Sequence, residues 1–250
     1  MRTLPFLVFL VFHAGLGWGQ PAQWHFGVAG GVVGSFGPSD NQAELVGGQN
    51  PASFDGMQHL SPAFKSAATF ELTGGMFKKS FGFDGTVGWF AQPAVMVMAP
   101  ATSSDGPAQM SLDLMNVRLT PSMRVVGKSN EDEHGIWIGG FGSFLFPVQT
   151  SVYPSLTTLY GIKGINPSVQ FNWGMSFRGF FRIGHSGLFG FSEASITLPG
   201  VVGSIGSFQL EPGSSYVLTR SEIKMYSFRI MGGIGYRLGA RVGKTSPPTR

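Results

Sequence analysis

Ile165-Asn166-Pro167-Ser168-Val169-Gln170-Phe171-Asn172-Trp173-Gly174-Met175-Ser176-Phe177-Arg178-Gly179-Phe180-Phe181-Arg182-Ile183 is the stretch whose reading decides the fold. One set of alternate residues, Ile165, Pro167, Val169, Phe171, Trp173, Met175, Phe177, Gly179, Phe181 and Ile183, is apolar. The other, Asn166, Ser168, Gln170, Asn172, Gly174, Ser176, Arg178, Phe180 and Arg182, is mostly polar or small. Side chains of a strand point to opposite faces with period 2, so this stretch has one greasy face and one wet face. Globular strands usually run about 5–6 residues. This one is far longer, and long enough to cross a bilayer as a tilted strand, which takes about 9–11 residues.

Seven further stretches carry the same signature. They are Trp24–Phe36, Ala63–Phe77, Phe81–Val97, Ser111–Gly127, Ile136–Gln149, Leu188–Leu198 and Arg220–Leu238. In the last, Tyr226, Phe228, Ile230, Ile234, Tyr236 and Leu238 face one way, and Ser227, Arg229, Gly233, Gly235 and Arg237 the other. The connections Lys78–Ser80, Lys128–Gly135 and Gly184–Gly187 are short and polar, whereas Gly37–Pro62, Met98–Met110, Thr150–Gly164 and Pro199–Thr219 are long. Short turns on one side and long loops on the other are the asymmetry of an outer-membrane barrel. The expectation is an all-β fold: an eight-stranded antiparallel transmembrane up-and-down β-barrel in the cell outer membrane. A soluble β-sandwich or lipocalin-like barrel would also alternate. Either would hide its apolar face and expose many charges. Only 12% of this chain is charged, against about 25% in a soluble domain.

Arg2 followed by the apolar Leu4–Phe12 and by Gly17-Trp18-Gly19 reads as an export signal cut after Gly19. Residues 20–238 then form the barrel, and 239–250, with Arg241, Lys244, Pro247, Pro248 and Arg250, a disordered periplasmic tail. The absence of Cys excludes a disulfide framework, a thiolate metal site and a lipid-modified cysteine. The net charge of +4 is spread out, with no Lys/Arg cluster of the kind that binds nucleic acid.

The leader ending before Gln20, the opening Trp24-His25-Phe26-Gly27-Val28-Ala29-Gly30-Gly31 and the closing Gly232-Gly233-Ile234-Gly235-Tyr236-Arg237-Leu238 resemble the small outer-membrane β-barrel family, the porin-like, PorT-like group common in Bacteroidota. The resemblance covers the whole mature chain. It implies an outer-membrane location and an eight-stranded barrel inserted by the outer-membrane insertion machinery, and it implies no single activity. Barrels of this group often end on an aromatic residue; this chain continues past Leu238.

The inner face is expected to hold Lys65, Glu71, Asp84, Arg118, Arg124, Arg178, Arg182, Glu193, Arg229 and Arg237. Side chains can just fill an eight-stranded barrel, and charges there must pair or stay wet. The first reading is therefore an internal network that plugs the lumen. The alternative is a narrow anion-preferring passage, because basic residues outnumber acids on this face. Outward aromatics form two girdles, with Trp24, Phe81, Phe83, Phe181 and Tyr236 near the periplasmic ends and Phe36, Phe64, Phe144, Phe146 and Tyr226 nearer the loops.

No catalytic, cofactor-binding or metal residues are expected. His25, His59, His134 and His185 show no nucleophile or metal spacing, and a mouth group of Ser53, Asp55 and His59 is the weak enzyme alternative. The Gly-rich pairs Gly30-Gly31 and Gly139-Gly140 lack the Lys-Ser/Thr of a phosphate loop and suit close strand approach. The long loops, above all the apolar Val152, Tyr153, Leu156, Leu159 and Tyr160, are candidates to dock an envelope protein or to fold over the mouth. The chain reads as a monomeric, non-enzymatic barrel in contact with outer-membrane lipid, with a structural or assembly role in the envelope, as in a secretion or adhesion complex.

Overall fold

The computed structural model describes residues 23–35, 43–47, 58–78, 80–99, 109–127, 135–153, 157, 161–184, 187–214 and 216–238. The expected export signal, the tail 239–250, Phe36, Ser53, Asp55, Leu156, Leu159, Tyr160 and His185, and the whole of the 128–134 turn with His134 lie outside them. So do the side chains of His59 and Phe64.

Among the described residues the strands are β1 Gln23–Ser35, β2 Ala43–Gly47, β3 Gln58–Phe64, β4 Ala67–Lys78, β5 Phe81–Ala99, β6 Gln109–Val126, β7 Gly135–Val152, β8 Ile162–Pro167, β9 Gln170–Arg182, β10 Leu188–Thr197, β11 Gly206–Leu210, β12 Tyr216–Arg220, β13 Glu222–Ile223 and β14 Ser227–Leu238. Eight of them close on themselves in the order β1–β4–β5–β6–β7–β9–β10–β14 and back to β1, every neighbour antiparallel. Closure satisfies backbone groups around the whole circumference, which a lipid-embedded sheet requires.

The alternation seen in the sequence is real in the fold. Along β4, Ala67, Thr69, Glu71 and Thr73 are buried while Ala68, Phe70 and Leu72 are exposed. The outer face carries Trp24, Phe26, Phe70, Trp89, Trp173, Phe177, Phe181, Ile230, Ile234 and Tyr236, all exposed large apolar groups. On β6 the outward residues from Met115 to Val125 span about 33 Å of strand at roughly 3.3 Å per residue. A tilt of about 45° reduces this to about 23 Å, close to the apolar band of about 25 Å on a membrane barrel.

Three sequence-based expectations change. First, β3 and β4 are separate. Phe64 pairs with Ala94 but Thr69 with Phe90, so four residues face three. Such a bulge reverses the alternation, and Lys65, inside it, is exposed rather than lumenal. Second, Ile165–Ile183 is not one strand. It breaks at Ser168–Val169, and Ile165 and Gln170, five apart, are both buried. β8 leaves the barrel wall and joins β11 and β13 in a small sheet. Third, the expected final strand Arg220–Leu238 is shorter in the wall: Arg220 ends β12, which pairs with β2, Glu222–Ile223 forms β13 in the small sheet, and only β14, Ser227–Leu238, lines the barrel. Among the described residues, three of the four expected long connections, 37–62, 150–164 and 199–219, therefore hold strands.

Glycines make room for rings. A side chain added at Gly233 would place its Cβ 2.5 Å from the Val28 carbonyl oxygen and from the Phe191 ring, whereas one at Gly232 would meet nothing within 4 Å. A backbone carbonyl cannot yield as a flexible side chain does, so overpacking should cost about 1–3 kcal/mol. Gly233→Val is expected to lower the midpoint of the heat-modifiable gel shift clearly, with Gly232→Val close to wild type. Equal midpoints for the two variants would remove this account of the glycines.

Candidate functional site

The lumen is filled in three layers. The floor, at the short-turn end, is an aromatic cluster of Phe77, Trp137, Phe180, Phe189 and Phe191 with Ala29 and Met231. Phe77 lies 4.7 Å from Trp137 and 5.1 Å from Phe180 between ring centroids. The ceiling, at the long-loop end, is aliphatic. Val33, Met110, Leu112, Leu114 and Leu145 from the barrel wall pack with Ile162, Ile165, Ile205, Phe208, Ile223 and Met225 from the small sheet and its connectors.

Between floor and ceiling runs a continuous chain of charges. The Arg229 guanidinium pairs with one Glu71 oxygen. The other Glu71 oxygen lies 3.4 Å from Arg118 Nη2. Arg118 Nη1 is 2.5 Å from Glu193 Oε1. Arg178 donates through Nε (2.8 Å) and Nη2 (2.5 Å) to Glu193 Oε2. Its Nη1 is 2.9 Å from Asp84 Oδ2. His25 Nε2 meets Asp84 Oδ1 at 2.6 Å and ends the chain with its ring stacked on Phe77 at 4.3 Å. With its amide oxygen turned inward, Asn116 accepts from Arg229 Nη1 (2.9 Å) and Nη2 (2.6 Å). All of these residues are buried.

The residues come together because strands of one register place them at similar depth. Glu193 sits opposite Arg178 in the β10–β9 ladder, and Thr86, two residues from Asp84, opposite Arg118 in the β5–β6 ladder. Arginine suits this place: its planar fork bridges two carboxylates at once.

Of the lumenal residues expected from sequence, Glu71, Asp84, Arg118, Arg178, Glu193 and Arg229 form this chain. The rest do not. Lys65 lies in the bulge. Arg124 is half-buried with its guanidinium 5.5 Å over the Trp137 ring. Arg182 is half-buried at the strand end and donates to the Gly184 carbonyl at 2.6 Å. Arg237 is buried in the floor, over the rings of Phe189 (5.1 Å) and Phe77 (5.4 Å). The basic excess on the inner face thus belongs to the floor and rim, and the chain itself sets three arginines against three carboxylates. The gap bounded by Asp84, Thr120, Ser122, Trp137, Ser176, Arg178 and Phe180 is too small to admit a water-sized sphere.

His25 is the residue that sequence reasoning passed over. The signal was present, since Trp24 and Phe26 face out and the residue between them must face in. Among the described residues no group of three His, Cys, Asp or Glu could hold a metal ion, and no helix is long and apolar enough to cross a membrane.

No family model matches the sequence, and no curated protein matches it either. The chain is similar in structure to the outer-membrane protein OprG of Pseudomonas aeruginosa, with a TM-score of 0.61 at 10% identity over 87% of this chain and 96% of that one. The fold is that of an outer-membrane barrel. A second solved structure, the translocator domain of the autotransporter NalP from Neisseria meningitidis, aligns at 11% identity and a TM-score of 0.31 over 94% of this chain and 95% of that one. A closed barrel whose exterior is an apolar band belongs in a membrane, and outer membranes are where such barrels reside.

Removing one partner from a buried ion pair costs about 3–5 kcal/mol, because the other charge stays uncompensated. Glu71→Gln is expected to destabilise the barrel by about that amount, read as a large fall in the urea midpoint of unfolding in lipid. Arg124→Gln, at the floor's edge, is expected to cost about 1 kcal/mol or less. Similar losses from the two would contradict the distinction between chain and rim.

Proposed function

We propose that this protein is a closed, non-catalytic barrel that serves the outer membrane as a structural or assembly component and presents its ordered outer strands to an envelope partner. The observation that carries this reading is the filled lumen: an aromatic floor, a charge-balanced middle and an aliphatic ceiling. A passage for anions needs a surplus of accessible positive charge along a water path. Here the central guanidiniums of Arg118, Arg178 and Arg229 are engaged by carboxylates, and Arg124, Arg182 and Arg237 stand against the floor rings or at the rim. The anion-preferring porin is therefore the less favoured reading. Monomeric state, insertion by the outer-membrane machinery and the export signal belong to the same proposal, as does affiliation with the PorT-like group, which rests on the opening and closing strands.

The outer strands give a partner something to hold. β2, β3 and β12 extend the barrel wall beyond its closed part, with β12 at the end of the sheet order. Ordered elements outside the bilayer, carried on a rigid barrel, are where recognition usually resides.

The test is single-channel recording in a planar bilayer, with folding of the same sample confirmed by heat-modifiable migration. The folded protein is expected to give no resolvable steps. Stable anion-selective steps would overturn the proposal in favour of the pore.

A further inference from the structure

We propose that the β8–β11–β13 sheet is a hinged cover, latched by the Gln170 side chain, that opens over the upper lumen independently of the charge chain beneath it. The cover is a distinct unit. It pairs within itself through β11, follows β12 through Ser221, and adjoins the barrel wall through the connectors Ser168–Val169, Leu198–Ile205 and Lys224–Tyr226, the second of them bridged to β9 at Phe171–Val202. Its underside is apolar, and Ile165, Ile205, Phe208 and Ile223 are almost wholly buried against the wall.

The latch is polar. Gln170 is fully buried. Its Nε2 donates to the Met225 carbonyl at 2.8 Å, and its Oε1 accepts from the Met225 N–H at 2.9 Å. The carboxamide thus does what a strand backbone would do, joining the first residue of wall strand β9 to the β13–β14 connector that carries the cover. Nε2 also reaches Asn172 Oδ1 at 2.5 Å, which fixes the amide orientation from the barrel side.

Two features make the cover separable. No residue of β8, β11 or β13 belongs to the charge chain, so lifting the cover leaves that chain intact. A polar layer, Gln170, Asn172 and the Thr197–Ser227 hydroxyl pair at 3.2 Å, lies between the aliphatic ceiling and the charges. The two barriers are therefore held by different forces: the outer one by apolar packing and neutral hydrogen bonds, those of Gln170 together with the Phe171–Val202 backbone pair, the inner one by ion pairs.

The chain has no cysteine, so single thiols report access cleanly. Leu114→Cys places a thiol under the cover, and Ser195→Cys places one beside Arg118 in the charge layer. Each is introduced with and without Gln170→Leu and treated with a membrane-impermeant thiosulfonate. Two lost hydrogen bonds of about 1 kcal/mol each correspond to a rise in labelling of roughly tenfold or more. That rise is expected at the Leu114→Cys thiol when Gln170→Leu is present, with the Ser195→Cys thiol protected in both backgrounds. No rise at the upper thiol would overturn the latch, and equal rises at both would overturn the independence of the two barriers. Hydrogen exchange of the protein without substitutions guards against a Gln170→Leu barrel that does not fold. The Ile205 and Met225 amides are expected to exchange together and ahead of those of β6 around Arg118; exchange in step with β6 would count against a separate cover.

Discussion

Arg118 sits in the middle of the lumen, almost fully buried between Glu71 and Glu193, and the rest of the interior follows from how it is compensated. A charge without water must find its counter-charge in the protein. Each carboxylate that serves Arg118 also serves a second arginine, and the remaining charge is passed outward until it ends on His25 at one side and Asn116 at the other. The residues reached by this chain come from β1, β4, β5, β6, β9, β10 and β14. It therefore ties almost every wall strand to its opposite neighbours through the centre, in addition to the ladders around the rim.

An eight-stranded wall imposes this economy of space. Its interior is just wide enough for side chains to fill, and twist brings some neighbours too close for a Cβ. Glycine at positions such as Gly233 yields that room to Phe191 and to the opposite carbonyl. The floor rings then pack where the charges stop, and Arg237 lies over the faces of Phe77 and Phe189, where a guanidinium is attracted by the ring electrons. The outside obeys the opposite rule: its apolar residues have only lipid to meet.

The wall and its facing were legible in the sequence, because period 2 is a local property. The pairs Phe70/Glu71, Val117/Arg118 and Phe177/Arg178 could be assigned from their neighbours alone, and the charged residues that meet in the lumen followed from them. What escaped had non-local causes. The bulge that turns Lys65 outward depends on pairing with β5. The departure of β8 from the wall depends on β11, which lies far along the chain, and its weak local pattern hid within a long loop. The balance of charge escaped for a related reason: parity assigns Arg124, Arg182 and Arg237 to the inner face, but only depth along the strand separates rim and floor from centre.

The most direct measurement is a double-mutant cycle on Arg118 and Glu193, with Arg118→Met, Glu193→Gln and the pair followed by equilibrium unfolding in lipid vesicles. If the charge chain organises the lumen, the two losses should be strongly coupled, with the double variant more stable than additivity allows by about 2 kcal/mol or more. Losses that add within about 0.5 kcal/mol would mean that the ion pair contributes little beyond its two side chains, and the account would fail at its centre.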